Sequence, residues 1–382
     1  MKHIKNKLSI ILSLIISIFL FCPLSSNAAS NLEIESPRAI LMDGETGRIL
    51  FEKNSEEVCS GTSIMKIMNI LLAIEAIESG ELEENDSVTV SDKASSTPGV
   101  GVWLKSGETT TVKELLKALS MVSANDAAIA LAEHMEGSEG KFLSKMNEKA
   151  TQLGMKNTIF KDIIGSDEDG NVTTALDVAT MSRELINHKT ILPYCATWID
   201  HIRNGSTQIV NTNKLLKSYP GTTGLKTGTS EKAGSCISAI AEQNGIKLIA
   251  VILGSEKPDK RLKDIKSMLD YGFSEFVKVN PKSTEIPLSV KVKNGMTNQV
   301  SINSEPIKSI LLSKKESQNI TSQIKLTEEL TAPIQKGQKI GEITYLQNDN
   351  ELFTCDITTS DSVDEINFKD VFFETLKCFF KP

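Results

Sequence analysis

The sequence lacks an excess of basic residues. Its 42 lysines and arginines are outnumbered by 49 aspartates and glutamates, which gives a formal net charge of −7 at pH 7. A groove that binds nucleic acid needs a basic stripe along the path of the phosphates. The acidic balance therefore argues against a nucleic-acid partner.

The patterns typical of metal sites and disulfide scaffolds are also missing. The chain contains 6 cysteines and 4 histidines, but it has no C-x-x-C motif and no cluster of histidine and cysteine at ligand spacing. A chain of 382 residues is long enough to fold without a disulfide framework. We expect buried or incidental thiols, and one disulfide that includes Cys59 is an open alternative.

Internal repeats and low-complexity tracts are absent as well. Hydrophobic residues make up 40% of the chain and charged residues 24%, which is ordinary for a soluble globular protein and excludes disorder as the default. The length is sufficient for one large domain and a smaller one.

The N-terminus has the pattern of an export signal. Three lysines precede an apolar run from Leu8 to Phe21, and small residues follow up to Ala29. This order is typical of a secretory signal peptide with its cleavage site. We expect residues 1–29 to be removed on export; an uncleaved anchor helix is the alternative.

Turn and periodicity signals predict a sheet that is interrupted by helices. Residues 38–53 have the pattern of a hairpin, and two strands over 236–242 and 246–253 are joined by an Asn-Gly turn. Residues 112–190 repeat apolar positions at helical spacing. The sequence therefore predicts an α+β catalytic domain over 30–280, with an antiparallel sheet covered by helices and a helical insert.

Two smaller regions follow. Residues 281–365 contain short alternating strands punctuated by turn dipeptides, which predicts a small β-rich domain. Residues 366–382 are too few to span a bilayer and predict an amphipathic helix at the membrane surface; docking of this helix on its own domain is the alternative. Its apolar face consists of Phe372, Phe373, Leu376, Phe379 and Phe380.

The first motif that can carry chemistry is Ser63-x-x-Lys66. It opens an apolar helix predicted over residues 63–78, with Gly80 as its stop. Residues three apart share a helix face, so the hydroxyl and the amine become neighbours. A buried lysine is driven toward its neutral form and can then act as the general base for the serine. The motif alone is common by chance, and its ordinary interpretation is a solvated lysine near a helix start.

The second motif is Ser123-Ala124-Asn125, just ahead of a helix predicted over Asp126–Met135. Ser123 can relay a proton to a leaving amine, and Asn125 can hydrogen-bond the backbone of a substrate. Taken alone, the motif is typical of a helix N-cap.

The third motif lies on a predicted strand and consists of Lys226, Thr227, Gly228, Thr229 and Ser230. Lys226 is a second positive charge that helps to keep Lys66 neutral. Thr227 and Ser230 offer hydroxyls to a carboxylate, and Gly228 permits a close approach of backbones. The ordinary interpretation is an edge strand.

The three motifs, in this order and context, match the signature of penicillin-recognising serine enzymes. The chain resembles the D-alanyl-D-alanine carboxypeptidases, the low-molecular-mass penicillin-binding proteins of peptidase family S11, over about residues 35–380. Outside the three motifs the resemblance is carried by Ile40-Leu41-Met42-Asp43, Ala233-Gly234, Ile249-Ala250-Val251-Ile252-Leu253-Gly254 and Ala332-Pro333.

The resemblance implies a catalytic role for each group. Ser63 would be acylated, Lys66 would be the general base, and Ser123 would assist proton transfer. The backbone N–H groups of Ser63 and Thr229 would form the oxyanion hole. Water would then release the acyl group.

The resemblance also implies the substrate and its binding groups. Asn125 would bind the substrate backbone, while Lys226, Thr227 and Ser230 would hold the terminal carboxylate beside Gly228. The substrate would be a peptidoglycan stem peptide ending in D-Ala-D-Ala, and β-lactams would be covalent inhibitors. Ser, Lys, Asn and backbone amides supply this chemistry, so no metal or organic cofactor is implied. We expect the exported enzyme to act at the outer face of the cytoplasmic membrane.

Some positions depart from the family pattern. Gly61-Thr62 stands where the family usually has Pro-Ala, residues 162–166 stand where it usually has Asn-Pro-x-Gly-Leu, and Ser230 replaces a threonine. These changes motivate one alternative, a catalytically decayed protein that binds the cell wall as a scaffold. A class A β-lactamase is another, although no Glu-x-x-x-Asn that could activate a deacylating water lies between the second and third motifs.

Overall fold

The computed structural model of the chain describes residues 32–166, 170–279, 286–303 and 309–366. The predicted signal peptide lies outside these residues, as does all of the predicted C-terminal helix except Ile366. None of the helices in the described ranges has the length and apolarity needed to cross a lipid bilayer.

Strands and helices alternate along the described chain. The strands are β1 (Arg38–Asp43), β2 (Ile49–Lys53), β3 (Cys59–Ser60), β4 (Ser87–Thr89), β5 (Thr109–Thr111), β6 (Val172–Thr173), β7 (Ile199–Ile202), β8 (Thr207–Val210), β9 (Thr222–Ser230), β10 (Gly234–Gln243), β11 (Ile246–Ser255), β12 (Phe276–Val279), β13 (Ser289–Lys293), β14 (Gln299–Asn303), β15 (Ile310–Ser313), β16 (Ile320–Leu326), β17 (Glu329–Thr331), β18 (Lys339–Gln347) and β19 (Asn350–Thr359).

The α-helices are α1 (Ile67–Ser79), α2 (Asp92–Ser95), α3 (Val112–Lys117), α4 (Asn125–Glu136), α5 (Glu139–Gln152), α6 (Ala175–Asn187), α7 (Leu192–Cys195), α8 (Leu215–Ser218) and α9 (Pro258–Glu275). Short 3-10 turns cover Ser63–Lys66 and Lys189–Ile191, and a π turn covers Ala118–Val122.

The sheet that positions the site is antiparallel, with the strand order β2-β1-β11-β10-β9. The predicted hairpin over residues 38–53 is confirmed as β1 and β2, and the one around Asn244-Gly245 as β10 and β11. Both residues of the second turn have positive φ, 51° and 75°, which suits a two-residue hairpin. Helices α6 and α9 pack against this sheet, and β9 forms its edge.

The predicted helical insert is also confirmed, because most of the chain between β5 and β7 is helical. Helix α1 precedes this insert in the chain, and nine of its thirteen residues are buried. A helix that is apolar nearly all round must lie inside a core, which is what its sequence predicts. The helix ends at Gly80, whose φ of 79° gives the left-handed conformation that glycine adopts readily after a helix.

A second sheet, of six strands, follows, with the strand order β16-β18-β19-β14-β13-β17 and its own apolar cluster. The predicted strand-rich texture after residue 281 is thereby confirmed. β12, directly after α9, pairs with β15, and Arg48 in the β1–β2 turn donates to the carbonyl of Leu311 at 2.8 Å and forms an ion pair with Glu316 at 2.5 Å. The chain thus has the predicted α+β fold with a C-terminal β region.

Candidate active site

The Ser63-x-x-Lys66 motif forms one turn of 3-10 helix that leads into α1. The α-helix predicted from residue 63 therefore begins only at Ile67. A 3-10 turn has three residues per turn, so its first and fourth side chains eclipse one another. Lys66 Nζ accordingly lies 3.0 Å from Ser63 Oγ, closer than α-helical spacing alone would ensure.

Lys66 is completely buried, so the interpretation of a solvated lysine is wrong. Its amine donates to the carbonyl of Ile164 at 2.5 Å as well as to Ser63. Burial penalises the ammonium and lowers the pKa of Lys66 to about 7, while the charge of Asp162 acts in the opposite direction. A neutral amine beside a hydroxyl can take its proton, so this pair can generate a serine nucleophile near neutral pH.

Ser123 follows the π turn and has a φ of 64°, a left-handed conformation that is uncommon outside glycine. Its hydroxyl is buried and makes no hydrogen bond to any other group that the structure describes. The N-cap interpretation is wrong, because Ala124 occupies the cap of α4 and no side chain caps the helix. A buried unpaired hydroxyl is costly in a finished core and is typical of a site that awaits a ligand.

Asn125 is held by the segment that precedes the π turn in sequence. Its side chain donates to the carbonyl of Pro98 at 2.7 Å, and its backbone N–H donates to Val100 at 2.6 Å. The neighbouring carboxylate of Asp126 accepts the N–H groups of Val102 and Leu104. The side chain of Asn125 is therefore fixed in orientation.

The third motif occupies the edge strand β9, as predicted. Lys226 is buried, and its amine donates to the carbonyl of Thr227 at 2.8 Å. Burial, and then the charges of Lys66 and Arg261, hold the pKa of Lys226 well below its ordinary value. The charge of Lys66 therefore acts on Lys226, whereas burial is the cause that lowers the pKa of Lys66.

The edge strand is joined to the second motif through a residue that the sequence analysis missed. The hydroxyls of Thr212 and Thr227 lie 2.9 Å apart, and the N–H of Thr212 donates to the carbonyl of Met121 in the π turn at 2.9 Å. β9 also packs against the 3-10 turn of Ser63. The elements that carry the three motifs thus meet at β9. No local pattern marks Thr212, because its role depends on contacts distant in sequence.

The last two residues of the motif lie at the open end of β9. Thr229 is exposed, and it pairs with Ser235 across the ladder. The hydroxyl of Ser230 accepts the N–H of Ala233 at 3.1 Å. The hydroxyl proton of Ser230 is not used in that contact, so it can still be donated to a ligand.

Gly228→Ala is expected to lower the free energy of unfolding by about 1–3 kcal/mol. A Cβ at Gly228 would lie 2.7 Å from Cγ2 of Thr62 and 2.8 Å from the backbone nitrogen of Ile64. The strand and the 3-10 turn would have to separate, so acylation by benzylpenicillin should slow as well. Urea denaturation and intact-mass kinetics measure both effects.

The matched control is Gly140→Ala on α5, where a Cβ would meet nothing within 4 Å. This variant should keep the acylation rate and lose no stability, because alanine favours a helix over glycine. Equal behaviour of the two variants would contradict the close packing of β9 on the turn.

Comparison with known proteins supports the family resemblance that these motifs indicate. A family model described as D-alanyl-D-alanine carboxypeptidase matches residues 25–257, and one described as penicillin-binding protein 5, C-terminal domain, matches residues 275–365. The chain is 39% identical over 339 residues to D-alanyl-D-alanine carboxypeptidase DacF of Bacillus subtilis, which covers 87% of this chain and 86% of that protein.

Solved structures agree with the sequence relatives. Penicillin binding protein 5 from Haemophilus influenzae is 25% identical with a TM-score of 0.74, over 87% of this chain and 98% of that one. Penicillin-Binding Protein D2 from Listeria monocytogenes, in an ampicillin-bound form, is 31% identical with a TM-score of 0.58, over 64% of this chain and 99% of that one. The chain therefore belongs to the D-alanyl-D-alanine carboxypeptidase family, peptidase family S11, whose members are serine hydrolases.

Proposed function

We propose that this chain removes the terminal D-Ala from peptidoglycan stem peptides that end in D-Ala-D-Ala, through an acyl-enzyme on Ser63. The observation that carries the proposal is the buried amine of Lys66, which lies 3.0 Å from Ser63 Oγ and has a pKa of about 7. A lysine in this state is unusual for a structural role, because burial of an amine whose described hydrogen bonds go to a hydroxyl and a carbonyl costs stability.

In the proposed acylation, Ser63 Oγ attacks the carbonyl carbon of the penultimate D-Ala while Lys66 takes the hydroxyl proton. The oxyanion is stabilised by the N–H groups of Ser63 and Thr229. The C–N bond then breaks, and Ser123 relays a proton to the leaving amine. Water attacks the ester in the second half of the reaction and releases the shortened peptide.

The substrate is held on both sides of the scissile bond. Lys226, Thr227 and Ser230 bind the terminal carboxylate, and the fixed amide of Asn125 bonds the peptide backbone. The absent Cβ at Gly228 lets the strand lie directly against the nucleophile's turn. These contacts select a substrate with a free C-terminal carboxylate and an extended backbone.

β-Lactams acylate the same serine in this proposal, in line with the ampicillin-bound Listeria relative. Intact mass after mixing the mature protein with benzylpenicillin tests the assignment. A lasting single adduct supports it, together with D-Ala release from a peptide ending in D-Ala-D-Ala. Unmodified protein with rapid loss of the drug would instead indicate a β-lactamase. Unmodified protein with intact drug and no D-Ala release would indicate a scaffold.

We also propose that the enzyme is exported and lies at the outer face of the cytoplasmic membrane through residues 366–382. Deletion of residues 369–382 is expected to release the protein from anionic liposomes, because the apolar face of the predicted helix is lost. Co-sedimentation measures the bound fraction, and D-Ala release from a soluble peptide should be unchanged.

A full-length control replaces Phe372, Phe373, Phe379 and Phe380 by serine. This variant keeps the chain length and the charges but removes the aromatic anchors, so it should also leave the liposomes. Unchanged sedimentation of both variants would contradict the membrane helix and favour docking on the protein's own domain.

A further inference from the structure

Residues 162–166, the loop that lies between α5 and β6 in the chain, are organised around one carboxylate, that of Asp162. It accepts the backbone N–H groups of Ile164 at 2.9 Å, Gly165 at 2.7 Å and Ser166 at 3.2 Å. The side-chain amide of Asn171 adds a fourth bond at 2.6 Å. Because so many neighbouring groups donate to a single carboxylate, these hydrogen bonds fix both the shape of the loop and the orientation of the carboxylate.

This loop is in direct contact with the base Lys66 and with the turn that carries the nucleophile. The carbonyl of Ile164 accepts the amine of Lys66 at 2.5 Å, and Asn69 on α1 donates to the preceding carbonyl of the loop at 2.8 Å. A Cβ at Gly165 would lie 2.4 Å from the carbonyl oxygen of Thr62, so the backbones are in close contact. The position of the lysine amine therefore depends on the shape of the loop.

The charges around Lys66 come from three elements besides its own turn. Asp162 faces it from the loop and Lys226 from β9, and Arg261 on α9 faces Lys226 in turn. Among the described residues, Asp162 is thus the negative charge that acts on the base. This segment is one of those that depart from the usual family sequence.

Asp162 is ionised at neutral pH. Burial opposes its ionisation, but the hydrogen bonds from Ser166, Asn171 and Gly165 outweigh burial and keep the pKa of Asp162 below its ordinary value. An ionised carboxylate beside an amine favours the ammonium form of that amine.

We propose that Asp162 is a positioning residue for the general base: it holds the carbonyl of Ile164 on the Lys66 amine and keeps a negative charge near that amine. The inference rests on the proposed role of Lys66 in acylation. It assigns a function to residues 162–166, for which the sequence alone shows only a difference from the usual family pattern.

Asp162→Asn removes the negative charge of residue 162 but retains a side chain of nearly the same shape. The amide oxygen can still accept the N–H groups of Ile164, Gly165 and Ser166, which bond one carboxylate oxygen, while the bond from Asn171 to the other oxygen is lost. Asn is the residue that the family usually has at the start of this segment. Because a negative charge is lost, Lys66 should become neutral at lower pH. The acid limb of the benzylpenicillin acylation rate against pH should move to lower pH by about half a unit or more.

Two further variants complete the experiment. Asp162→Ala removes the hydrogen bonds as well, so the loop should lose its shape and acylation should fall by about tenfold or more at every pH. Asp177→Asn is the matched control, because Asp177 is a buried carboxylate that also bonds N–H and hydroxyl groups but faces Thr158 rather than Lys66. Its pH profile should overlay that of the wild type.

A profile of Asp162→Asn that overlays the wild type, in a protein that unfolds at the same temperature, would overturn the inference. An NMR titration of the Lys66 side chain gives a readout that does not need the reaction, and its midpoint should fall in Asp162→Asn. If the midpoint falls in Asp162→Asn but the wild-type protein never reacts with penicillin, the proposed function is contradicted and the inference is supported. An unchanged midpoint would overturn the inference alone.

Discussion

Ser63→Ala is expected to abolish the benzylpenicillin adduct and to reduce D-Ala release by about a million-fold, to the limit of detection. The change removes the atom that forms the ester, and the described active-site elements place no other hydroxyl against the amine of Lys66. Intact mass and a D-amino-acid assay measure the two losses. Residual release close to the wild-type rate would contradict the assignment of the nucleophile.

The variant should remain folded, since Ser63 is only partly buried and its side chain accepts a single hydrogen bond. Lys66 would keep its bond to the carbonyl of Ile164. Ser60→Ala, three residues earlier, is the matched control: within the described part of the chain its hydroxyl makes only a long contact of 3.5 Å, to Gly61. The control should form the adduct at the wild-type rate, and both variants should unfold near the wild-type temperature.

Lys66→Met is expected to slow acylation by about a thousand-fold or more, because base and nucleophile act as one unit. Methionine keeps the length and the burial of the stem but cannot accept the proton of Ser63. The alanine variant would also open a cavity, so methionine gives the cleaner test. Stopped-flow measurement of penicillin binding gives the rate. A loss of less than about tenfold would mean that another group is the base.

Lys149→Met is the control for the loss of a lysine charge. Lys149 lies in an ion-pair cluster with Glu75 and Glu184, away from the three motifs. Its replacement should change stability slightly, as is usual for partly exposed pairs, and leave acylation unchanged.

The acylation rate of the wild type should also rise with pH through about 7, the pKa of Lys66. Below that pH the amine is an ammonium and cannot take the proton of Ser63; above it the amine is neutral and can. A rate that is flat from acid to alkaline pH would contradict the role of this group, whereas Lys66→Met should lose the dependence along with the rate.

The sequence predicted much of this site because its motifs obey local rules. Three-residue spacing brings Ser63 and Lys66 together in any helix-like turn, and a helix as apolar as α1 must be buried, which predicts a lysine with a low pKa. The hairpin around Asn244-Gly245 likewise follows from turn chemistry alone. The family signature then supplied the order of the three motifs along the chain.

Other parts of the site could not be predicted in this way. The contact of Ile164 with the base and the bond between Thr212 and Thr227 both depend on contacts between segments distant in the chain. No turn residue such as glycine marks the left-handed conformation at Ser123. The Asp162 loop had one local signal, an aspartate three residues before a glycine, which is typical of a side-chain-stabilised turn. That signal predicts the turn but not what the turn touches.

Two buried lysines in one site impose opposite demands on protons. In the proposed mechanism Lys66 acts only after it has lost a proton, whereas Lys226 pairs with a carboxylate only while it holds one, although burial lowers its pKa as well. Substrate capture should therefore weaken once the medium is alkaline enough to deprotonate Lys226, while the chemical step accelerates as Lys66 loses its proton. The enzyme would then have an upper and a lower acidity limit set by the same apolar pocket, and its optimum would lie where the two tendencies cross.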